Sequence, residues 1–261
     1  MSPPPVTRIE TDPASRVIVI CDHARNAVPP ELHPSLGLSP AQMERHIAYD
    51  IGAEGVSRAL VVALGGVALL ANWSRIVIDP NRSDDDPTLM RKIYDGAIIP
   101  GNRHADAAEL ERRKAAYYQP YHDAIGAEIA RITATGQMPL ILSVHSFTPQ
   151  FGTRSLRPWH IGILWDEVDG RLARPLITSL TGEPGLVVGD NEPYAGTFPG
   201  DTMESHVYRR GLPGTLFEIR QDLITAPEGQ AEWGARMARH IAPLLDDPAL
   251  HTLFPHEQQE T

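Results

Sequence analysis

The chain has 261 residues, 42% hydrophobic and 21% charged, enough for one sizeable core, so a single domain is expected over residues 1–261 with 1–15 and 250–261 peripheral. Lys and Arg total 23 against 33 Asp and Glu, a formal net charge of −10 that would repel a polyanion and argues against nucleic acid as a partner. Prolines and charges interrupt MSPPPVTRIETDPASR where a signal peptide needs an apolar run, no later run approaches the roughly 20 apolar residues of a membrane span, and a lone cysteine excludes an internal disulfide; a soluble, cytoplasmic protein without a membrane partner is expected.

In chain order, residues 16–21 (RVIVIC) form the first short, apolar, β-branched run and read as a buried strand. Residues 39–64 carry helical spacing with Ser39-Pro40 as a start, then 67–72 (VALLAN) reads as a strand and 76–79 (IVID) is a further candidate. A second helical stretch covers 105–135, followed by the strands 139–144 (PLILSV) and 160–165 (HIGILW). Helical spacing returns at 169–180, strands at 185–188 (GLVV) and 215–219 (TLFEI), and a last helix at 226–245 starting from Ala226-Pro227. This alternation predicts a single-domain α/β fold, its central sheet mostly parallel or mixed, with helices on both faces. Residues 2–5 and 256–261 are expected to fray.

Unusual polar residues cluster directly after the strands: Asp22 to Asn26, Trp73 to Arg75, His145 to Phe147, Asp190 to Glu192 and Arg220 to Asp222. In open α/β sheets ligands bind outside the carboxyl ends of the strands, so these loops are expected to converge on one crevice. His23 and His145 each follow an apolar run at once, and two neutral imidazoles suit a divalent metal ion, zinc first. The third ligand is open: Asn26, three residues beyond His23, offers a neutral oxygen, and Asp22 and Asp50 compete with it, Asp22 ranking lower because it alternates away from His23 along a strand. His33, His46, His104, His122, His240, His251 and His256 fall in helices or loops and read as ordinary polar residues. Cys21 reads as a small core residue.

Glu218 lies inside an apolar run, where an unpaired charge is costly to bury, so it is either ion-paired, with Arg220 for instance, or a general base. Arg75 and Arg82 flank 76–79 with the planar fork that recognises carboxylates or a developing oxyanion, or are held in structural ion pairs. The acidic run Ser83 to Asp86 before Pro87 reads as a solvated turn. Ser146 has no nucleophile signature, and no phosphate loop or G-x-S-x-G elbow is present.

The blocks Cys21 to Pro29 (CDHARNAVP), Ser74 to Arg82 (SRIVIDPNR), Ser143 to Thr148 (SVHSFT) and Phe217 to Leu223 (FEIRQDL), in this order, resemble the N-formylglutamate amidohydrolase family over roughly residues 16 to 245. The resemblance implies a zinc-carboxypeptidase-like α/β fold and hydrolysis of N-formylglutamate, a small acidic acyl-amino acid, to formate and glutamate late in histidine catabolism. It implies one divalent metal ion held by His23, His145 and Asn26, the last where relatives carry a glutamate. It implies Glu218 as catalytic carboxylate, Arg75 polarising the scissile carbonyl, and Asn81 with Arg82 gripping the substrate carboxylate. Two alternatives stay open: a hydrolase for another N-acyl amino acid or peptide, and a non-catalytic binding protein that kept the fold.

Overall fold

The apolar runs become strands because each carries Val, Ile or Leu on both sides of its pleat, as a strand covered on both faces requires. A computed structural model describes residues 3–32 and 34–255; His33, His256 and the expected fraying of 256–261 lie outside the described residues. The elements are β1 (Val6–Glu10), β2 (Val17–Cys21), α1 (Pro40–Met43), α2 (Ala53–Leu64), β3 (Val67–Ala71) and the hairpin β4 (Ile93–Tyr94) and β5 (Ala97–Ile98). There follow α3 (Ala107–Arg113), α4 (Gln119–Ala134), β6 (Leu140–Phe147), β7 (Ile161–Leu164), α5 (Ala173–Thr181), β8 (Val188–Asp190), α6 (Thr202–His206), β9 (Gly214–Arg220) and α7 (Pro227–Ile241).

Seven strands form one mixed sheet in the order β1-β3-β2-β6-β9-β7-β8. The central β3, β2, β6 and β9 run parallel, while β1 is antiparallel to β3 and β7 to β9. Alternation along β2 sorts the two halves of the core. Val17, Val19 and Cys21 pack with α2, α5 and α7 on one face. Ile18 and Ile20 pack with α4 and Met203 of α6 on the other. The fold is thus the single-domain α/β architecture with a mixed sheet and helices on both faces that the sequence predicts, and Cys21 is a buried core residue. Among the described residues no helix is long and apolar enough to cross a membrane.

The differences from expectation have local causes. Residues 6–10 pair with β3 as an edge strand, and Pro4 O and Pro5 O accept hydrogen bonds from Asn72, so 3–10 are docked instead of fraying. Residues 76–79 are buried but turned, with Val77 N donating to Ser74 O, so no strand forms there. The 39–64 helix breaks because Gly52 takes φ 82 against the Ile224 backbone, a position closed to a side chain; α2 starts afresh after it. The 105–135 stretch is helical but widens into a π-turn over Lys114–Tyr118, just before Pro120, whose missing N–H cannot continue the α ladder. That stretch aims three tyrosines at the loops: Tyr117 OH donates to Glu31, Tyr118 OH to Arg82 O, and Tyr121 OH to Asp22.

Candidate active site and metal centre

Parallel pairing of β2, β6 and β9 brings their carboxyl ends to one edge. His23 stands just past β2, His145 near the end of β6, and Glu218 directly across from His145 in β9. The peptide N–H of Asp50 donates to His23 O (2.9 Å), delivering a carboxylate between the two imidazoles. Asp50 Oδ2 lies 2.8 Å from His145 Nδ1 and 3.3 Å from His23 Nδ1.

The far nitrogens are tied to other acids. His23 Nε2–H donates to Asp79 Oδ1 (2.7 Å) and His145 Nε2–H to Asp22 Oδ2 (2.8 Å), all in buried positions. Such carboxylate partners fix tautomer and ring orientation in metal-ligating histidines. With Nε2–H engaged, both Nδ1 lone pairs and Asp50 Oδ2 converge, and three converging acceptors need a shared cation. Burial lowers the His145 imidazole, but hydrogen bonds to Asp22 and Asp50 outweigh it and hold it well above its usual range. The three donor atoms lie within 4.8 Å of one another. Ligands around a tetrahedral zinc with bonds of about 2.1 Å are about 3.4 Å apart, so the donor set fits a divalent metal ion.

Glu218 is 8% exposed, and among the described residues its Oε2 is buried without a hydrogen-bond partner. Burial pushes its carboxyl up to about 7, more than His145 lowers it, with Asp50 adding to the rise. The ion pair with Arg220 does not form, because Arg220 turns outward to Asp222 (2.8 Å), and among the described residues Oε2 of Glu218 has no hydrogen-bond partner. Arg75 is held by Asp50 Oδ1 (3.3 Å) and Asp79 Oδ2 (3.0 Å), which leaves one N–H on each Nη for other use. These groups, with Asn81 and Arg82, line a cleft of about 340 Å³.

Asn26, read as third ligand, stands elsewhere. Its amide Nδ2 donates to Met43 O (3.0 Å) and Glu44 Oε1 (3.2 Å), pinning the loop to the end of α1, while Asp50 is the residue that stands with His23 and His145 in a group able to hold a metal ion. Asp50, named from the sequence as a competitor of Asn26, is 27 residues from His23 and is brought there by its backbone bond to His23 O and by contacts of its carboxylate with Arg75, His145 and the Ser146 N–H. The sequence passed over Asp79, which holds His23, and the cleft residues Tyr94, Arg157 and Tyr194, while His46, read as an ordinary polar residue, lines the cleft. Residues 190–192 do not reach it directly: β8, parallel to the reversed β7, ends at the opposite edge, and the chain returns to bring Tyr194 and Phe198 to the cleft. Ser146 Oγ donates to Ile51 O, and the acidic run 83–86 closes local turn bonds such as Asp86 with Thr88, as its turn reading implies.

Asn81 and Arg82 are positioned by α4 and α6. Thr202 N donates to Asn81 Oδ1, Thr202 Oγ1 and His122 Nε2 donate to Pro80 O, and Arg82 carries its guanidinium over the Phe198 ring at 5.8 Å.

The fold and site define an α/β protein with a buried His-Asp-His group beside a buried carboxylate whose Oε2 has no hydrogen-bond partner among the described residues. Residues 15–225 match the family model of N-formylglutamate amidohydrolase, and the chain belongs to that family. An N-formylglutamate deformylase of Pseudomonas aeruginosa is 30% identical over 137 residues, 44% of this chain and 49% of the relative, so the match spans about half of that relative's length. The crystal structure of a gene product from Agrobacterium tumefaciens superposes with a TM-score of 0.85 at 32% identity, covering 93% of this chain and 95% of that one. An N-formylglutamate amidohydrolase from Ralstonia eutropha JMP134 shares the fold, with a TM-score of 0.65 at 22% identity over 92% and 98% of the two chains.

Proposed function

We propose that the chain is a metal-dependent amidohydrolase that cleaves N-formyl-L-glutamate, or a similar N-acyl amino acid, to the free amino acid and formate. The observation that carries this reading is the His23, Asp50 and His145 donor set beside the unpaired carboxylate of Glu218 in one cleft. His23 and His145 through Nδ1 and Asp50 through Oδ2 would hold a divalent ion, zinc by its donor chemistry, which supplies Lewis acidity that makes water nucleophilic near neutral pH. Family membership supports the reaction class.

The residues divide the remaining work. Glu218 takes a proton from water as its oxygen adds to the formyl carbon, then delivers that proton to the departing nitrogen as the C–N bond breaks. A carboxylate with no bond to release is free to make this transfer. Arg75, immobilised by Asp50 and Asp79, turns its remaining N–H groups to the oxyanion that forms on the carbonyl oxygen. Arg82, backed by Phe198, and Asn81 bind the substrate α-carboxylate.

A screen of N-formyl, N-acetyl and N-succinyl amino acids with zinc-loaded protein tests the reading, and N-formylglutamate is expected to turn over fastest. Losing a bidentate guanidinium–carboxylate contact costs on the order of 2 to 5 kcal/mol. Arg82→Ala is therefore expected to lower kcat/KM by about 30-fold or more with metal content unchanged, and Arg82→Lys by less. An uncharged diester should be nearly indifferent to both substitutions; equal losses on acid and diester would reduce Arg82 to a loop brace.

A further inference from the structure

Arg157 sits in the segment joining β6 to β7 and lines the cleft with His145 and Glu218. Its guanidinium lies 5.6 Å from the Phe147 ring centroid and 5.1 Å from that of Tyr194. Nη1 donates to Thr148 O (3.2 Å) and to the Tyr194 hydroxyl (3.1 Å). The backbone is pinned as well, with Arg157 N donating to Pro149 O and Arg157 O accepting from Arg220. Among the described residues Nε and Nη2 make no hydrogen bond, and no carboxylate oxygen lies within 4.0 Å of the guanidinium.

Other arginines near the cleft differ. Arg75 and Arg220 each hold a carboxylate of the protein, and Arg154 is exposed over the ring of Phe151. An exposed cation gains little from one anion, whereas a half-buried guanidinium between two rings is poorly hydrated and oriented before the anion arrives. Its open Nε and Nη2 edge presents two parallel N–H donors, the fork that a carboxylate fits.

We propose that Arg157 binds the side-chain carboxylate of a dicarboxylic N-acyl amino acid, while Arg82 binds the α-carboxylate. This assignment rests on the amidohydrolase reading above. The two anchors reach the cleft on separate loops, one following β3 and the other following β6. One cation therefore recognises what all acyl amino acids share, and the other recognises what distinguishes an acidic from a neutral one.

The test compares N-formyl-L-glutamate with N-formyl-L-glutamine, which differ in side-chain charge but little in shape. Wild type is expected to favour the acid in kcat/KM by about 100-fold. Arg157→Gln should shrink that ratio by at least about 30-fold, mainly through KM for the acid, and Arg157→Lys should restore part of it. Because Arg157→Gln also loses the bonds to Thr148 and Tyr194, calorimetric binding of L-glutamate and L-glutamine to wild-type protein supplies a second reading. Tighter binding of L-glutamate by about 10-fold or more is expected. Equal binding of the two amino acids, a substrate ratio unchanged in both variants, or equal loss on both substrates would overturn the proposal. Wild type that hydrolyses neither formyl substrate would remove the amidohydrolase reading instead, while the glutamate and glutamine binding data still decide the role of Arg157.

Discussion

Asp50→Asn is expected to strip the protein of its metal and abolish hydrolysis, although the substitution exchanges a single oxygen for an NH₂ group. Asp50 Oδ2 is the oxygen that both Nδ1 atoms approach, and its charge is sustained in a buried position: burial opposes ionisation, but His23 and His145 hold the carboxyl well below its usual range. An amide keeps the shape, loses the charge and is a weaker donor to zinc. Loss of even an outer carboxylate partner costs about 10- to 100-fold in metal affinity, so loss of a ligand should cost at least about 100-fold. Metal analysis after zinc loading and gel filtration checks this, with about one ion per chain in wild type and almost none in the variant. Asn26→Ala is the contrast, because Asn26 holds Met43 O and Glu44 away from the donor set; it should keep its metal and lose about 1 kcal/mol of stability. Full metal and activity in Asp50→Asn, or metal loss in Asn26→Ala, would reverse the ligand assignment.

Glu218→Gln is expected to lower kcat by about 10²- to 10⁴-fold while metal content and KM change little. The amide occupies the same volume opposite His145 in β9 but cannot accept the proton of the attacking water. Stability separates this role from a structural one. Oε2 is buried without a partner among the described residues, so the ionised carboxylate is a cost to the fold. The thermal midpoint of the metal-free variant should equal or exceed that of the metal-free wild type. A group that served an ion pair would behave in the opposite way, with activity within a few-fold and a lower midpoint. That pattern would exclude Glu218 from the reaction.

The strands and their shared edge were legible because burial on both faces leaves a chemical trace in the residues themselves: VIVIC and LILSVHSF are apolar on both sides, and a polar residue interrupting or ending such a run stands out. His23, His145 and Glu218 stood out this way, and all three line the cleft. The edge strand β1 was not, because VTRIE has one solvated side and its polar residues imitate a loop. The breaks at Gly52 and at Lys114–Tyr118 were hidden for a different reason, since helical periodicity persists through a kink or a wide turn.

Residue type at a position along one strand or loop was enough to give the α/β class and to single out the two imidazoles, the buried glutamate and the arginines that flank residues 76–79. Which acid stands between the imidazoles, and what holds the two rings, depends on tertiary contacts. Asn26 is near His23 in sequence, yet its loop turns it to α1; Asp50 is distant, yet one backbone hydrogen bond to His23 O sets its carboxylate between the imidazoles. Asp22 and Asp79, which bond the two rings, and Arg157, which Phe147 and Tyr194 flank, likewise take their places from neighbours far away in the chain. Side-chain chemistry is carried by each residue, but the convergence of donors on one point depends on where sheet pairing and loop closure bring distant segments together.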